Sequence, residues 1–354
     1  MSSHKIILSS ERVDRLKEYL NWVKGKGNKF DTVLTDYWKH HSNLIDVKFD
    51  RNCISLSGEG GFYFEREMNL FNRCRYFAGR IPIKLSYCIF MACRKFFPFP
   101  IDFLSTFSDA YENIWREDPV TRRSFSSQNL EFKDLENEIL NFKTIKGMKK
   151  KWLLSKTHIL SDVIIKLYFY LQLMESKIPK LEGSTVCEIG SGSGNLASLF
   201  FYHFNTKLFL VDLPQTLLFA FCYLSKSVPN ATILLPNEIE TGNLNLNEHN
   251  IVMMTPEQTA IIPNKTVELA VNIDSMQEMN MKNIDSYFDM IDRIIKPNGY
   301  FFSSNRVEKI MTGEPIRFSA YPWRSYTRTI FYEINPLTRL VQLDPLFIRM
   351  EQYI

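Results

Sequence analysis

Several features that would assign this chain to a class at once are missing. Its six cysteines, at positions 53, 74, 88, 93, 187 and 222, include no CxxC pair and no cluster with histidine at zinc-ligand spacing. Neither a disulfide framework nor a structural zinc site is therefore indicated, and the simpler reading is of free buried thiols in a reducing compartment. No apolar run reaches the roughly 18 residues of a membrane-spanning helix: "LSYCIFMACRKFFPFPI" is broken by Arg94 and Lys95, and "VIIKLYFYLQLM" by Lys166. The opening "MSSHKIILSSERVDR" lacks the uninterrupted apolar core of a signal peptide, so a cytoplasmic protein is expected. Internal repeats, low-complexity tracts and the signature of a nucleic-acid-binding module are missing as well.

What is present is core-forming material. With 354 residues, 45% hydrophobic and 14% aromatic, the chain has enough apolar mass for two folded units. The net charge of +4 is unevenly spread: residues 1–180 carry 30 Lys and Arg against 21 Asp and Glu, and the remainder 13 against 18. Basic residues are densest at Lys143, Lys146, Lys149, Lys150, Lys151 and Lys156, beside Trp152. A contact with anionic headgroups, nucleic acid or a phosphorylated substrate is one reading of that cluster, including peripheral membrane contact. A solvated helix end or linker is the simpler one.

Two styles of patterning divide the chain. Residues 1–155 are aromatic-rich with helical stretches such as "RVDRLKEYLNWVK" and "FSDAYENIWRED", interrupted at "KGKGNK" and "SGEGGF"; they read as a mostly helical N-terminal domain capping the acceptor side. Residues 156–354 alternate short β-rich runs ("STVCEI", "KLFLVD", "ATILL", "NIVMM", "VELAVNI", "GYFFSS") with helical segments. In "MKNIDSYFDMIDRIIK" the apolar positions Ile284, Phe288, Ile291, Ile294 and Ile295 fall three or four apart, and "KPNG" marks the turn into the next strand. Such alternation predicts an α/β protein with a doubly wound, mostly parallel sheet.

The chemistry concentrates in "TVCEIGSGSGNLASLFF". Gly190, Gly192 and Gly194 follow the first strand of this region and precede a helix, where a bare backbone admits a nucleotide. The sixth position of the dinucleotide fingerprint is Asn195 rather than glycine. Two residues before the first glycine stands Glu188. A carboxylate there repels a pyrophosphate but suits a cofactor that carries an ammonium and a sulfonium, which is S-adenosylmethionine. Asp212 ends the next strand 22 residues after Gly190, positioned for both hydroxyls of a ribose. Ser191 and Leu213 complete the two turns. Either a nicotinamide enzyme or a methyltransferase would use Asp212; only the methyltransferase also uses Glu188. Taken singly, Glu188 could cap a helix and Asp212 could end a strand.

With "EIGSGSG" and "DLP" in place, the sequence resembles class I S-adenosylmethionine-dependent methyltransferases over about residues 155–310. The resemblance implies a Rossmann-like, seven-stranded sheet with an antiparallel last hairpin, for which "TRTIFYEINP" and "LVQLDPLFIRMEQYI" are the candidates. Further stretches, "VELAVNIDSMQEM", "SSNRVEK" and "RFSAYPW", are similar to a bacterial family described as sugar O-methyltransferases. That similarity implies in-line methyl transfer to a hydroxyl of a sugar, glycan or glycoconjugate precursor.

The remaining site residues follow from topology. Adenine is expected after the third strand, for which "ATILL" and "NIVMM" compete; the step into "VELAVN" favours the second, with Thr255 and Pro256 beside the base. A sugar hydroxyl is a poor nucleophile that a positioned base would assist. Many methyltransferases with a "DLP" turn use histidine, but "SMQEM" has none, which leaves Glu278 as first candidate and Asp274 as second. A solvated carboxylate is the plain alternative for Glu278, and His203, set among phenylalanines, reads as a packed histidine. Asp274 and Glu278 could instead hold a divalent cation, though two carboxylates four residues apart are a thin signature, and no metal is expected. Arg306, Tyr321, Trp323 and Arg324 could form the acceptor wall, an aromatic face for a sugar ring with guanidinium forks, or simply pack the terminal hairpin. Rival readings are a peptide, lipid or polyketide-like acceptor, a nicotinamide oxidoreductase, and a non-catalytic subunit that keeps the cofactor fold.

Overall fold

The computed structural model describes residues 4–26, 46–50, 53–57, 162–241, 246–309, 315–335 and 346–354. The lysine cluster at 143–156, the helix expected around 107–118 and most of the proposed N-terminal cap lie outside the described residues, as do parts of the expected turns at 24–29 and 57–62.

The first elements are strand β1 (His4–Ile7), helix α1 (Ser10–Lys26) and strands β2 (Asp46–Asp50) and β3 (Cys53–Ser57). β3 lies between β1 and β2 and is antiparallel to both. After helix α2 (Asp162–Glu175) come β4 (Thr185–Ile189), α3 (Asn195–Phe204), β5 (Lys207–Val211), α4 (Pro214–Ser227), β6 (Ile233–Leu234), α5 (Pro236–Glu240), β7 (Ile251–Met254), β8 (Val267–Ile273), α6 (Met281–Ile294), β9 (Ile295–Arg306), β10 (Glu308–Lys309), β11 (Ile316–Arg317), β12 (Thr327–Ile334) and β13 (Leu346–Tyr353). Short 3-10 helices at Pro256–Ile261 and Met276–Glu278 follow β7 and β8.

The main sheet runs β12-β13-β9-β8-β4-β5-β7-β6. From β9 to β6 every adjacent pair is parallel, and β13 returns antiparallel beside β9. The parallel strands are covered on both faces, so β4 and β7 are nearly continuous apolar runs rather than alternating ones. This is a Rossmann-like, doubly wound sheet with one antiparallel return. It has eight strands rather than the seven expected. The addition is the two-residue β6, from "ATILL", which pairs outside β7. β7, from "NIVMM", is the strand beside β5.

Helix α6 shows how its sequence makes the core. Asn280 caps it by accepting from the Asn283 amide at 2.8 Å, and Ile284, Phe288, Ile291 and Ile294 form its buried stripe. The helix stops at Ile294; Ile295 already belongs to β9.

The described parts of residues 1–64 group with the described parts of 167–333 and 346–354 in one compact unit. Val13, Leu16 and Tyr19, three apart on α1, are fully buried, and α1 packs on α4 and α5. Among the described residues, no helix is long and apolar enough to cross a membrane.

Candidate active site

The strand order reverses at β4, with β5 and β7 on one side and β8 and β9 on the other. A crevice for a ligand forms beyond the carboxyl ends of strands at such a point. β4 and the turns after β4, β5, β7 and β8 carry the cofactor-binding and general-base candidates.

Gly190, Gly192 and Gly194 all adopt positive φ, at 73°, 55° and 79°, conformations that side chains disfavour. They do different work. A Cβ on Gly190 would meet Ser275 Oγ at 2.0 Å and Ser275 Cβ at 2.2 Å, so this turn rests directly on the loop after β8. Gly194 faces Leu224 at 2.9 Å and lets α3 pack on α4. Gly192 has nothing within 4 Å of where a Cβ would be, so its bare backbone faces open space. Gly190→Ala is expected to cost about 3 kcal/mol of stability, the sum of left-handed strain and a collision with a side-chain stub too short to swing away. Denaturant titration against the parent checks it.

The carboxylates of Glu188 and Glu278 each act electrostatically with that of Asp212. Asp212, half-buried just past β5, accepts from the Gly192 amide and from its neighbour Leu213, both at 2.7 Å. The carboxylate thus ties the glycine turn to its own. Burial nevertheless pushes its pKa up to about 7, with the charge of Glu278 adding to the rise. Glu188, in β4, is 5% exposed, and its Oε2 has no partner. Burial first, then repulsion from Asp212, holds the Glu188 pKa well above the usual carboxylate range. The Ser191 hydroxyl is likewise buried and unpartnered.

A pH dependence follows. Between about pH 4 and 7 the folded chain keeps on Asp212 a proton that the unfolded chain has released. Ligand-free stability should therefore fall as pH rises through that window, and Glu188 acts in the same direction. Denaturation midpoints at pH 5 and pH 8 should differ less in Asp212→Asn than in the parent; an equal difference would remove Asp212 as the cause.

Thr255 and Pro256 follow β7, and the Asp212 amide reaches the Met254 carbonyl at 3.2 Å, which brings this turn beside the ribose-binding candidate. Gln258 accepts from the Thr255 amide at 3.0 Å and donates to the Pro236 carbonyl at 2.8 Å, bracing the loop against the start of α5.

Beyond β8 lies a buried amide network. Asn272 donates to the Ile189 carbonyl at 2.9 Å and accepts from Asn305 at 2.8 Å. Asn305 in turn accepts from the Gln277 amide at 3.1 Å, and Gln277 accepts from the Arg306 amide at 2.7 Å. Asp274 has φ of 56°, and its amide donates to the Ser304 carbonyl at 2.8 Å. The Ser304 hydroxyl meets the Tyr170 hydroxyl of α2 at 2.7 Å. Glu278 forms an ion pair with Lys309 at 2.9 Å, both side chains mostly buried.

Sequence reasoning missed Lys309 and this amide network. Yet both lie in "VELAVNIDSMQEM" and "SSNRVEK", stretches quoted for the family resemblance. A polar residue such as Asn272 inside an apolar strand run was the available signal, because a buried amide must find partners.

The expected acceptor wall is not assembled. Arg306 ends β9 at the crevice, but Tyr321 and Trp323 pack in the hydrophobic core around Phe288 and Phe318. Arg324 binds Asp289 and Asp292, each at 2.6 Å. Asp292 also accepts from Tyr353 at 2.9 Å, one residue past the Gln352–Tyr300 pairing. That register puts Arg324 near the amino end of β9, across the sheet from the crevice. These three side chains serve packing of the terminal strands. His203, on α3, is within 3.7 Å of Glu175 and stacks edge-on with Phe204. No group of three or more His, Cys, Asp and Glu able to hold a metal occurs among the described residues.

No protein-family model matches the chain, and no curated protein matches it. Solved structures do. Geranyl diphosphate C-methyltransferase from Streptomyces coelicolor, in complex with magnesium, geranyl diphosphate and S-adenosyl-L-homocysteine, aligns at 9% identity and a TM-score of 0.37, covering 52% of this chain and 78% of that one. A SAM-dependent methyltransferase from Aquifex aeolicus aligns at 16% identity and 0.34, covering 52% and 89%. Haemonchus contortus phosphoethanolamine N-methyltransferase 2, in complex with S-adenosyl-L-methionine, aligns at 17% and 0.30, covering 41% and 29%.

Proposed function

We propose that the chain is an S-adenosylmethionine-dependent methyltransferase, acting on a hydroxyl of a sugar or glycoconjugate precursor. The observation that carries the cofactor is Glu188: a carboxylate oxygen buried without a partner, beside the glycine turn. A buried carboxyl kept without a partner is costly, and a cationic ligand offsets that cost. The unpartnered Ser191 hydroxyl and the open space above Gly192 fit the same ligand. When bound, S-adenosylmethionine supplies a methyl group activated by its sulfonium.

The chain's own residues then divide the work. Glu188 receives the positive charge of the methionine portion, Asp212 accepts from the ribose hydroxyls, and Thr255 and Pro256 flank the base. Glu278 takes the proton from the acceptor hydroxyl, its carboxylate oriented by Lys309, while the Asn272–Asn305 network keeps its loop in place. A nicotinamide dinucleotide fits less well, since its pyrophosphate would face Glu188.

The acceptor is tested by incubating the protein with methyl-labelled S-adenosylmethionine and panels of nucleotide sugars, glycans, peptides, lipids and polyketide-like phenols. Label in an alkali-stable methyl ether of a sugar is the expected product. Label only in another class would replace the sugar reading and leave the methyltransferase reading in place. Cofactor binding without transfer to any panel would favour the non-catalytic subunit.

A further inference from the structure

Helix α1 lies far ahead of the cofactor turns in sequence, yet it packs along α4 and α5 and reaches the turn after Asp212 across 195 positions. Its side chains reach both ends of α4. At the start of α4, the buried Tyr19 hydroxyl donates to the Pro214 carbonyl at 2.7 Å. At the far end, Arg12 donates to the carbonyls of Ser225 and Pro229. Arg15 forks onto both oxygens of Glu238, at 2.7 and 2.8 Å, and its guanidinium lies over the Phe221 ring. Glu238 also accepts from the Leu235 amide at 2.8 Å. Lys26 and Trp22 hold Glu240 at 2.6 and 2.9 Å.

Only one of these contacts touches a turn that would bind the cofactor. Pro214 is two residues after Asp212, and the Leu213 amide between them already donates to the Asp212 carboxylate. We infer that Tyr19 is a positioning residue for the cofactor: by holding the Pro214 carbonyl it fixes the turn that aims Asp212. The remaining α1 contacts dock the helix without touching that turn. The inference rests on the cofactor reading above. Burial pushes the Tyr19 pKa up, and the charge of Asp212 pushes it further, consistent with the hydroxyl lying within electrostatic reach of that carboxylate.

The experiment is calorimetric titration with S-adenosylhomocysteine of the full chain and four variants: Tyr19→Phe, Asp212→Asn, the double variant, and Glu240→Gln. Tyr19→Phe keeps the ring and its stacking on Trp22 but removes the donor. It should weaken binding about five- to tenfold, the worth of one buried hydrogen bond. In the Asp212→Asn background the same change should have little further effect, because Tyr19 acts through that carboxylate. Glu240→Gln loosens the carboxyl-terminal end of α1 at Trp22 and Lys26 without removing the Tyr19 hydroxyl, and should bind as the parent does.

Unchanged binding in Tyr19→Phe, strict additivity with Asp212→Asn, or an equal loss in Glu240→Gln would each overturn the inference while leaving the cofactor reading intact. Failure of the parent to bind would instead remove the cofactor reading, and this inference with it. An independent check needs no variant. In the parent, adding S-adenosylhomocysteine should slow backbone amide exchange in the part of α1 around Tyr19 together with residues 212–217. Slowing at 212–217 alone would count against the coupling.

Discussion

Asp212→Ala is expected to weaken S-adenosylhomocysteine binding about a hundredfold, since two hydrogen bonds to a charged carboxylate are lost at about 1.5 kcal/mol each. The loss is compounded inside the protein. The same carboxylate holds the Gly192 amide at 2.7 Å, so its removal also releases the backbone that faces the open space. Asp212→Asn retains acceptor capacity and should fall between parent and alanine variant. Titration calorimetry reads all three, and equal affinities would show that the ribose lies elsewhere. Because a nicotinamide enzyme would also use this aspartate, the result must be read together with ligand identity.

Glu278→Gln is expected to lower the rate of methyl transfer about a hundredfold or more, with S-adenosylhomocysteine affinity within about twofold of the parent, since a side chain that only moves a proton contributes little to ground-state binding. Glutamine matches the shape of Glu278 but cannot take a proton. The ion pair with Lys309 at 2.9 Å supplies a second arm. Lys309→Met should impair turnover through Glu278, so the double variant should be little worse than Glu278→Gln alone. Single-turnover rates with the acceptor found by the labelling panel decide it; an unimpaired Glu278→Gln would pass the role to Asp274 or to no side chain at all.

The parts of the fold legible in sequence were those set by local periodicity and turn chemistry. The apolar runs of β4, β5, β7 and β8 and the stripe of α6 identify themselves, and the three glycines announce a turn in the left-handed region that side chains disfavour. What was not legible depends on register between distant segments. Tyr321, Trp323 and Arg324 read as a ligand wall because aromatic and guanidinium groups look the same in a pocket and in a core. In the fold Arg324 instead binds Asp292 of α6, 32 positions away in sequence. The choice of "NIVMM" over "ATILL", made on its spacing to "VELAVN", agrees with the pairing of β7 with β5. Lys309 was hidden because its partner lies 31 residues away, and α1 because nothing in its amphipathic pattern tells which surface it covers.

β4 and the turn after β5, which carry Glu188 and Asp212, are proposed to receive a cationic nucleoside rather than a dinucleotide. Parallel calorimetric titrations of the full chain with S-adenosylhomocysteine and with NADH test it most directly. Saturable one-site binding of S-adenosylhomocysteine, with no heat from NADH, is the predicted result. Binding of NADH alone would rule out that ligand class, because it would place a pyrophosphate against the buried carboxyl of Glu188.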